Sequence, residues 1–266
     1  TAGRAQRDTE SSLMARLSAL VAYASELLAI ANFSDYCPNG LQVQGRPEVH
    51  TLIGGVTACQ RLLDEAVERQ ADAVLVHHGY FWKGEDPRIV GMKYRRLATL
   101  LRHDISLLAY HLPLDAHLEL GNNAQLARVL DLTITGTVGG NSHTPGWVML
   151  GELAAPLKGD TFAAYLANRL GRTPLYIPGN DALIHRLAWC TGAAQSSIEL
   201  AFDAGVDAFL TGEASEQTVH FARENGLHFF AAGHHATERY GIQALGARLA
   251  RQFDLNFAFI DIDNPV

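Results

Sequence analysis

Cysteine is scarce in this chain: of its 266 residues only Cys37, Cys59 and Cys190 are cysteines. They form no C-x-x-C motif and are odd in number, so neither a thiolate zinc site nor a disulfide framework is indicated. A reducing, cytoplasmic setting suits that count. Basic residues are also few. Lys and Arg number 21 against 28 Asp and Glu, a formal net charge of −7. That balance speaks against nonspecific binding of nucleic acid, which needs basic surface. The motifs G-x-x-x-x-G-K-[ST], G-x-G-x-x-G and G-x-S-x-G do not occur. A P-loop, a dinucleotide fingerprint and a nucleophile elbow are therefore absent.

Long apolar runs are missing too. The nearest is residues 13–31, where Leu13, Leu17, Leu20, Val21, Ala24, Leu27, Leu28 and Ala31 recur at helical steps. Ser18, Ser25 and Glu26 interrupt them, which predicts an amphipathic helix and neither a membrane span nor a signal sequence. Residues 1–12 read as a polar, mobile tail.

What the chain does have is a 48% hydrophobic composition, ample for a sizeable core, and one arresting stretch at 74–84, Val-Leu-Val-His-His-Gly-Tyr-Phe-Trp-Lys-Gly. Three apolar residues running into His77 and His78 predict a buried parallel strand with imidazoles at its C-terminal tip. Ligands of open α/β sheets bind at such tips. Neighbouring side chains alternate faces along a strand, so the two histidines reach different atoms beyond its end. Two adjacent metal ions would suit them; a buried histidine pair without a ligand is the plainer alternative.

Taken in order, a polar and aromatic turn at 34–43 follows the first helix. Strands are expected at 52–56, 73–76 and 105–110, and helices at 60–70, 91–103 and 124–130, the last capped by Gly121-Asn122-Asn123. The middle, about 131–184, alternates strand, loop and the helix 161–170 without a cluster of ligand-type residues. Then the chain repeats itself. Val56-Thr57-Ala58-Cys59-Gln60 aligns with Thr191-Gly192-Ala193-Ala194-Gln195, and the match runs without a gap through Asp72/Asp207 and Leu75/Leu210. Where the first copy has His77-His78 the second has Gly212-Glu213. Further on, His111-x-x-x-Asp115 corresponds, after a small gap, to His234-x-x-x-Glu238.

This predicts an α/β protein of two related domains, their mixed, mostly parallel sheets facing each other across a metal site. Residues 13–130 form the first domain, closed also by 235–266, and residues 131–234 the second. The candidate ligands are His77, His78, His111, Asp115, His234, His235 and Glu238, with Glu213 as a further member. Positions i and i+4 share a helix face, so His234 and Glu238 could grip one ion. A carboxylate can bridge two ions that imidazoles cap singly. Such a set suits zinc, iron, manganese, cobalt or nickel, whereas calcium and magnesium prefer oxygen shells.

The motifs Asp35-Tyr36-x-Pro38-Asn39-Gly40-Leu41-Gln42, His77-His78-Gly79, His111-x-Pro113-x-Asp115, Gly121-Asn122-Asn123 and Gly233-His234-x-Ala236-Thr237-Glu238 resemble the Nif-three-like dinuclear metal-centre proteins. Members are often labelled GTP cyclohydrolase I type 2 homologs. The resemblance spans about 15–266 and is closest to the short bacterial branch. It implies a toroidal homohexamer and two divalent metal ions per subunit, with His77, His78, Asp115, His234 and Glu238 as ligands. It leaves His111 and His235 as catalytic proton carriers facing a small-molecule substrate, such as a nucleotide. The expected function is a cytoplasmic dinuclear metal-dependent hydrolase of a nucleotide or purine-like compound. Its rival is a non-enzymatic ring that binds or delivers metal or acts as a scaffold. No membrane or nucleic acid partner is expected.

Overall fold

The computed structural model describes residues 15–141, 144 and 146–266. The tail expected at 1–12, residues 13–14 of the expected first helix and part of the 139–146 loop lie outside the described residues; Ala15–Arg16 is a strand and the helix begins at Leu17.

Two mixed sheets dominate. The first has five strands in the order Asn256–Phe259, Thr51–Thr57, Ala73–His78, Ser106–Ala109, Gly40–Val43. All neighbours are parallel except the last pair. The second has six, ordered Thr133–Val138, Val148–Leu157, Ile184–Trp189, Ala208–Thr211, His228–Ala231, Leu175–Ile177, with its three-stranded centre parallel. Among the described residues no helix is long and apolar enough to cross a membrane.

Alternation along each strand sends side chains to two cores. In the first sheet Leu52, Leu75 and Leu108 face helices Leu17–Leu27 and His234–Phe253, packing on Leu20, Ala24, Ile242, Leu245 and Leu249. Ile53, Val74, Val76 and Leu107 face the opposite layer, where Leu62, Leu63, Leu97 and Leu100 come from helices Gln60–Glu68 and Gly91–Arg102. The second sheet repeats the plan, with Leu187, Trp189, Leu210 and Phe230 packed on Phe162 and Leu166 of helix Gly159–Leu170. Full burial of each such side chain contributes about 1.5–3 kcal/mol, so the layers, and not local propensity, hold these helices.

The internal repeat is realised in register. Leu52 pairs with Ala73 in the first sheet and Leu187 with Ala208 in the second, the positions that the alignment equates. An aspartate clamps each copy. Asp72 accepts the amides of His50 and Thr51, both at 2.8 Å, and Asp207 those of His185 and Arg186 at 3.0 and 2.7 Å.

Several expectations need correction. The first helix stops at Leu27, and Ala29 takes a left-handed φ of 48° before a short 3-10 turn, Ile30–Asn32. The strand expected at 73–76 continues through both histidines. Of the cap expected at Gly121-Asn122-Asn123, Gly121 is the N-cap, without a side-chain bond, while Asn122 and Asn123 already belong to the helix and are buried. Asn122 accepts the Gly241 amide at 2.8 Å, and Asn123 accepts the Thr191 amide at 2.9 Å. They stitch the long helix and the second sheet to the first half.

Candidate metal centre

Three places in the chain meet at the C-terminal ends of the parallel strands. His77 and His78 end the strand Ala73–His78. Asp115 lies on the short helix Leu112–Ala116 that follows the next strand. His234 and Glu238 occupy the first turns of the long helix. His77 Nε2 lies 3.4 Å from Asp115 Oδ1 and 3.5 Å from Glu238 Oε1. The other oxygen, Glu238 Oε2, is 3.2 Å from His78 Nε2 and 3.0 Å from His234 Nε2. The donors thus fall into two triads, His77–Asp115–Glu238 and His78–His234–Glu238, that share one carboxylate.

Each imidazole is oriented through its other nitrogen. His77 Nδ1 donates to the Tyr110 carbonyl at 2.8 Å, and His234 Nδ1 to Glu213 Oε1 at 2.7 Å. His78 Nδ1 meets the Thr57 hydroxyl at 3.2 Å. The Tyr110 and Glu213 oxygens can only accept, so in a neutral ring the lone pair of His77 or His234 sits on Nε2, aimed at Glu238. Ligand histidines are characteristically held this way. Asp115 is fixed too, by the Asn122 amide at 2.8 Å and the Thr191 hydroxyl at 3.4 Å.

Two atoms at the centre, His77 Nε2 and Glu238 Oε2, are buried without any hydrogen-bond partner. An orphaned buried polar atom costs roughly 1–3 kcal/mol, a large share of a typical domain stability of about 5–15 kcal/mol. Lone pairs facing a carboxylate across 3.0–3.5 Å repel unless a positive charge lies between them. Without metal that charge is a proton. Burial pulls the His77 pKa down, but the Asp115 and Glu238 carboxylates push it up to about 10. Burial opposes protonation of His234 as well, yet Glu238 and Glu213 raise it to about 9. His78 goes the other way, to about 4, because burial and the charge on His77 both disfavour a second cation. Burial raises Asp115, while the surrounding histidines hold Glu238 well below the usual carboxylate range despite its burial. Mixed N/O donors, preset tautomers and orphaned central atoms fit a bound metal ion.

Backbone shape makes room for the shared carboxylate. Gly192 has φ +71°, and a Cβ there would sit 2.1 Å from Glu238 Oε1. The small-residue turn seen in the repeat is the clearance that lets the second half approach Glu238.

His111 and His235 flank the triads. The His111 ring lies 5.1 Å from that of His77 and 5.8 Å from that of His78. Its Nδ1 is bonded to Asp35 Oδ1 at 2.7 Å. Asp35 also accepts the amides of Tyr36 and Leu112 and the Asn39 side chain. His235 lines a cavity of about 160 Å³ with Val56, Thr57, His78, His234, Asn264 and Val266. Its Nε2 is taken by Asp261 at 2.7 Å, which ties the 260–266 segment across the mouth. Thr57, Asn122, Thr191, Gly192 and Asp35 are site residues that residue-type scanning passes over. The repeat alignment places Thr57 opposite Gly192, a signal that pointed at both.

A family model for Duf34/NIF3 (NGG1p interacting factor 3) matches residues 15–265. A Pseudomonas aeruginosa protein named GTP cyclohydrolase 1 type 2 homolog is 59% identical over 250 residues, covering 94% of this chain and 98% of that one. A protein of the same name from Escherichia coli is 56% identical over 242 residues, with 91% and 96% covered. Among solved structures, protein ybgI, of unknown function, superposes with a TM-score of 0.90 at 54% identity, covering 95% of this chain and all of that one. TTHA1606 from Thermus thermophilus superposes with a TM-score of 0.83 at 33% identity, with 95% and 100% covered.

Proposed function

The chain belongs to the Duf34/NIF3 family, and on that premise we propose a hydrolase that works with two divalent metal ions on a nucleotide or purine-like substrate. The observation that carries this is the pair of donor triads sharing Glu238 around orphaned buried atoms. His77, Asp115 and Glu238 would hold one ion, and His78, His234 and Glu238 the other. When bound, such ions would lower the pKa of a coordinated water to about 7 and polarise the atom under attack. The protein's own part is orientation and proton handling. Tyr110, Thr57 and Glu213 fix the imidazoles. His111, held at Nδ1 by Asp35, has Nε2 left to give or take a proton at the substrate. His235, held at Nε2 by Asp261, lines the cavity beside His78 and His234 and is the second candidate to carry a proton. GTP is the first compound to try, since the relatives named above carry it in their names. A homohexameric ring in the cytoplasm is part of the same proposal.

Elemental analysis of protein purified without added metal tests the premise, and a hydrolase screen of the metal-loaded protein tests the activity. About two metals per chain, and turnover of a nucleotide that chelation abolishes, is the expected result. Two metals with every nucleotide, phosphodiester and cyclic amidine unchanged would turn the reading to a metal-delivery or scaffold protein. No metal after reconstitution would leave the histidines structural. Sedimentation at working concentration checks the ring.

A further inference from the structure

The loop leaving the histidine strand carries three aromatic residues in succession, and the metal reading accounts for none of them. Tyr80 is core, buried with its hydroxyl donating to the Ala58 carbonyl at 2.7 Å. Phe81 adopts φ +65°, a left-handed conformation in which a bulky residue is a genuine outlier. Observed strain of this kind is a reason to ask what it positions. Here it positions Trp82. The indole lies 6.0 Å, centroid to centroid, from His78 and 5.0 Å from His111.

The loop is fastened at several points. Trp82 Nε1 donates to the Gly79 carbonyl at 3.2 Å, and the Trp82 amide to Glu85 at 3.2 Å. The Lys83 amide donates to the Tyr36 carbonyl at 2.6 Å, joining this loop to the one that carries Asp35. Tyr36 stands at that junction, 63% exposed, its ring 6.5 Å from His111. Both rings meet His111 at steep angles, 88° for Trp82 and 63° for Tyr36, so neither is stacked on it. Two aromatic rings are thus held at the rim of a polar, acidic and histidine-rich site, Trp82 half-buried and Tyr36 exposed.

We propose that Trp82 and Tyr36 are substrate-binding residues that receive a flat heteroaromatic ring, of purine kind, beside the His78 triad. This rests on the hydrolase reading for its location and names the recognition element of that same site. Aromatic side chains bind such rings through their faces with little demand on ring identity. The remaining polar contacts would then select the ring.

The experiment is equilibrium dialysis of the metal-loaded full chain against guanosine, GTP and inorganic triphosphate, with Trp82→Ala, Trp82→Phe and Tyr36→Ala beside the parent. Metal content and thermal unfolding are measured on every variant. Loss of one stacking partner predicts roughly 10- to 100-fold weaker binding of guanosine and GTP for Trp82→Ala, less for Tyr36→Ala. Triphosphate binding and metal content should not change, and Trp82→Phe should keep most of the affinity. A Trp82→Ala protein that sheds metal or binds all three probes equally poorly would show that the indole merely props His78. A parent that does not take up guanosine, or a Trp82→Ala protein that binds it as tightly as the parent, would equally sink the proposal. Guanosine binding that depends on Trp82 in a protein with no turnover would uphold it while removing the hydrolase reading.

Discussion

The two halves of the molecule use one scaffold for different duties. Their parallel strands pair in the same register, and an equivalent aspartate, Asp72 or Asp207, clamps each. At the strand tips the sequences part. The first half puts His78 where the second puts Glu213, and Thr57 where the second puts Gly192. His78 is a donor steadied by Thr57, whereas Glu213 steadies a donor, His234, and Gly192 yields space to Glu238. After the third strand both halves present a histidine followed four residues on by a carboxylate. In the second half both join the triads around Glu238; in the first Asp115 does so, while His111 groups with His77 and His78 and bonds to Asp35. A repeated frame thus gives positions, and divergence at its tips assigns the roles.

Substitutions that treat the halves unequally sharpen this comparison. The largest effect belongs to Glu238, which serves both triads. Glu238→Gln should lose both ions and all hydrolysis, whereas His78→Ala should lose one ion of two. Elemental analysis of the two variants separates them, and equal loss would argue against two distinct triads. Next is Gly192→Ala, where a methyl group would meet Glu238 Oε1 and φ is +71°. A left-handed non-glycine costs roughly 1–2 kcal/mol on its own, and displacing Glu238 should bring metal loss with it. Thermal melts and metal content report the two parts. The equivalent first-half change, Thr57→Ala, removes only a support.

A smaller effect is expected from the supports themselves. Glu213→Gln and Thr57→Ala should each weaken metal binding by roughly 10- to 100-fold, Glu213 more because it brings charge. Competition against a chromophoric chelator measures this, and unchanged affinity in both would refute the orienting roles. The smallest and most symmetrical test concerns the clamps. Asp72→Ala and Asp207→Ala each leave two amides unpaired, a cost of roughly 1–3 kcal/mol. Asp72 should cost more, because Arg46 also pairs with it at 2.8 Å. Denaturant unfolding should show this order, with metal content kept.

The donors were legible because donor chemistry needs particular residue types, and the repeat set them at equivalent points. The supports were not, for separate physical reasons. Tyr110 acts through its carbonyl, which any residue provides. Asn122 and Asn123 open a helix, close to where asparagine ordinarily caps, and only the folded chain shows them buried between halves. Asp35 is 76 residues from His111, a distance no local pattern spans. The sheet strand Leu175–Ile177 is three residues between Pro174 and Pro178, too short for periodicity to register.

On the proposed two-metal reading, the shared position of Glu238 also makes the two sites thermodynamically reciprocal. Whatever occupies one triad alters the charge and aim of the oxygen offered to the other. The occupancy of each must then feed back on the other by the same factor. Titration with metal should therefore not follow two independent isotherms. The sign of the deviation reports whether orienting the carboxylate outweighs the repulsion of two dications held by one side chain.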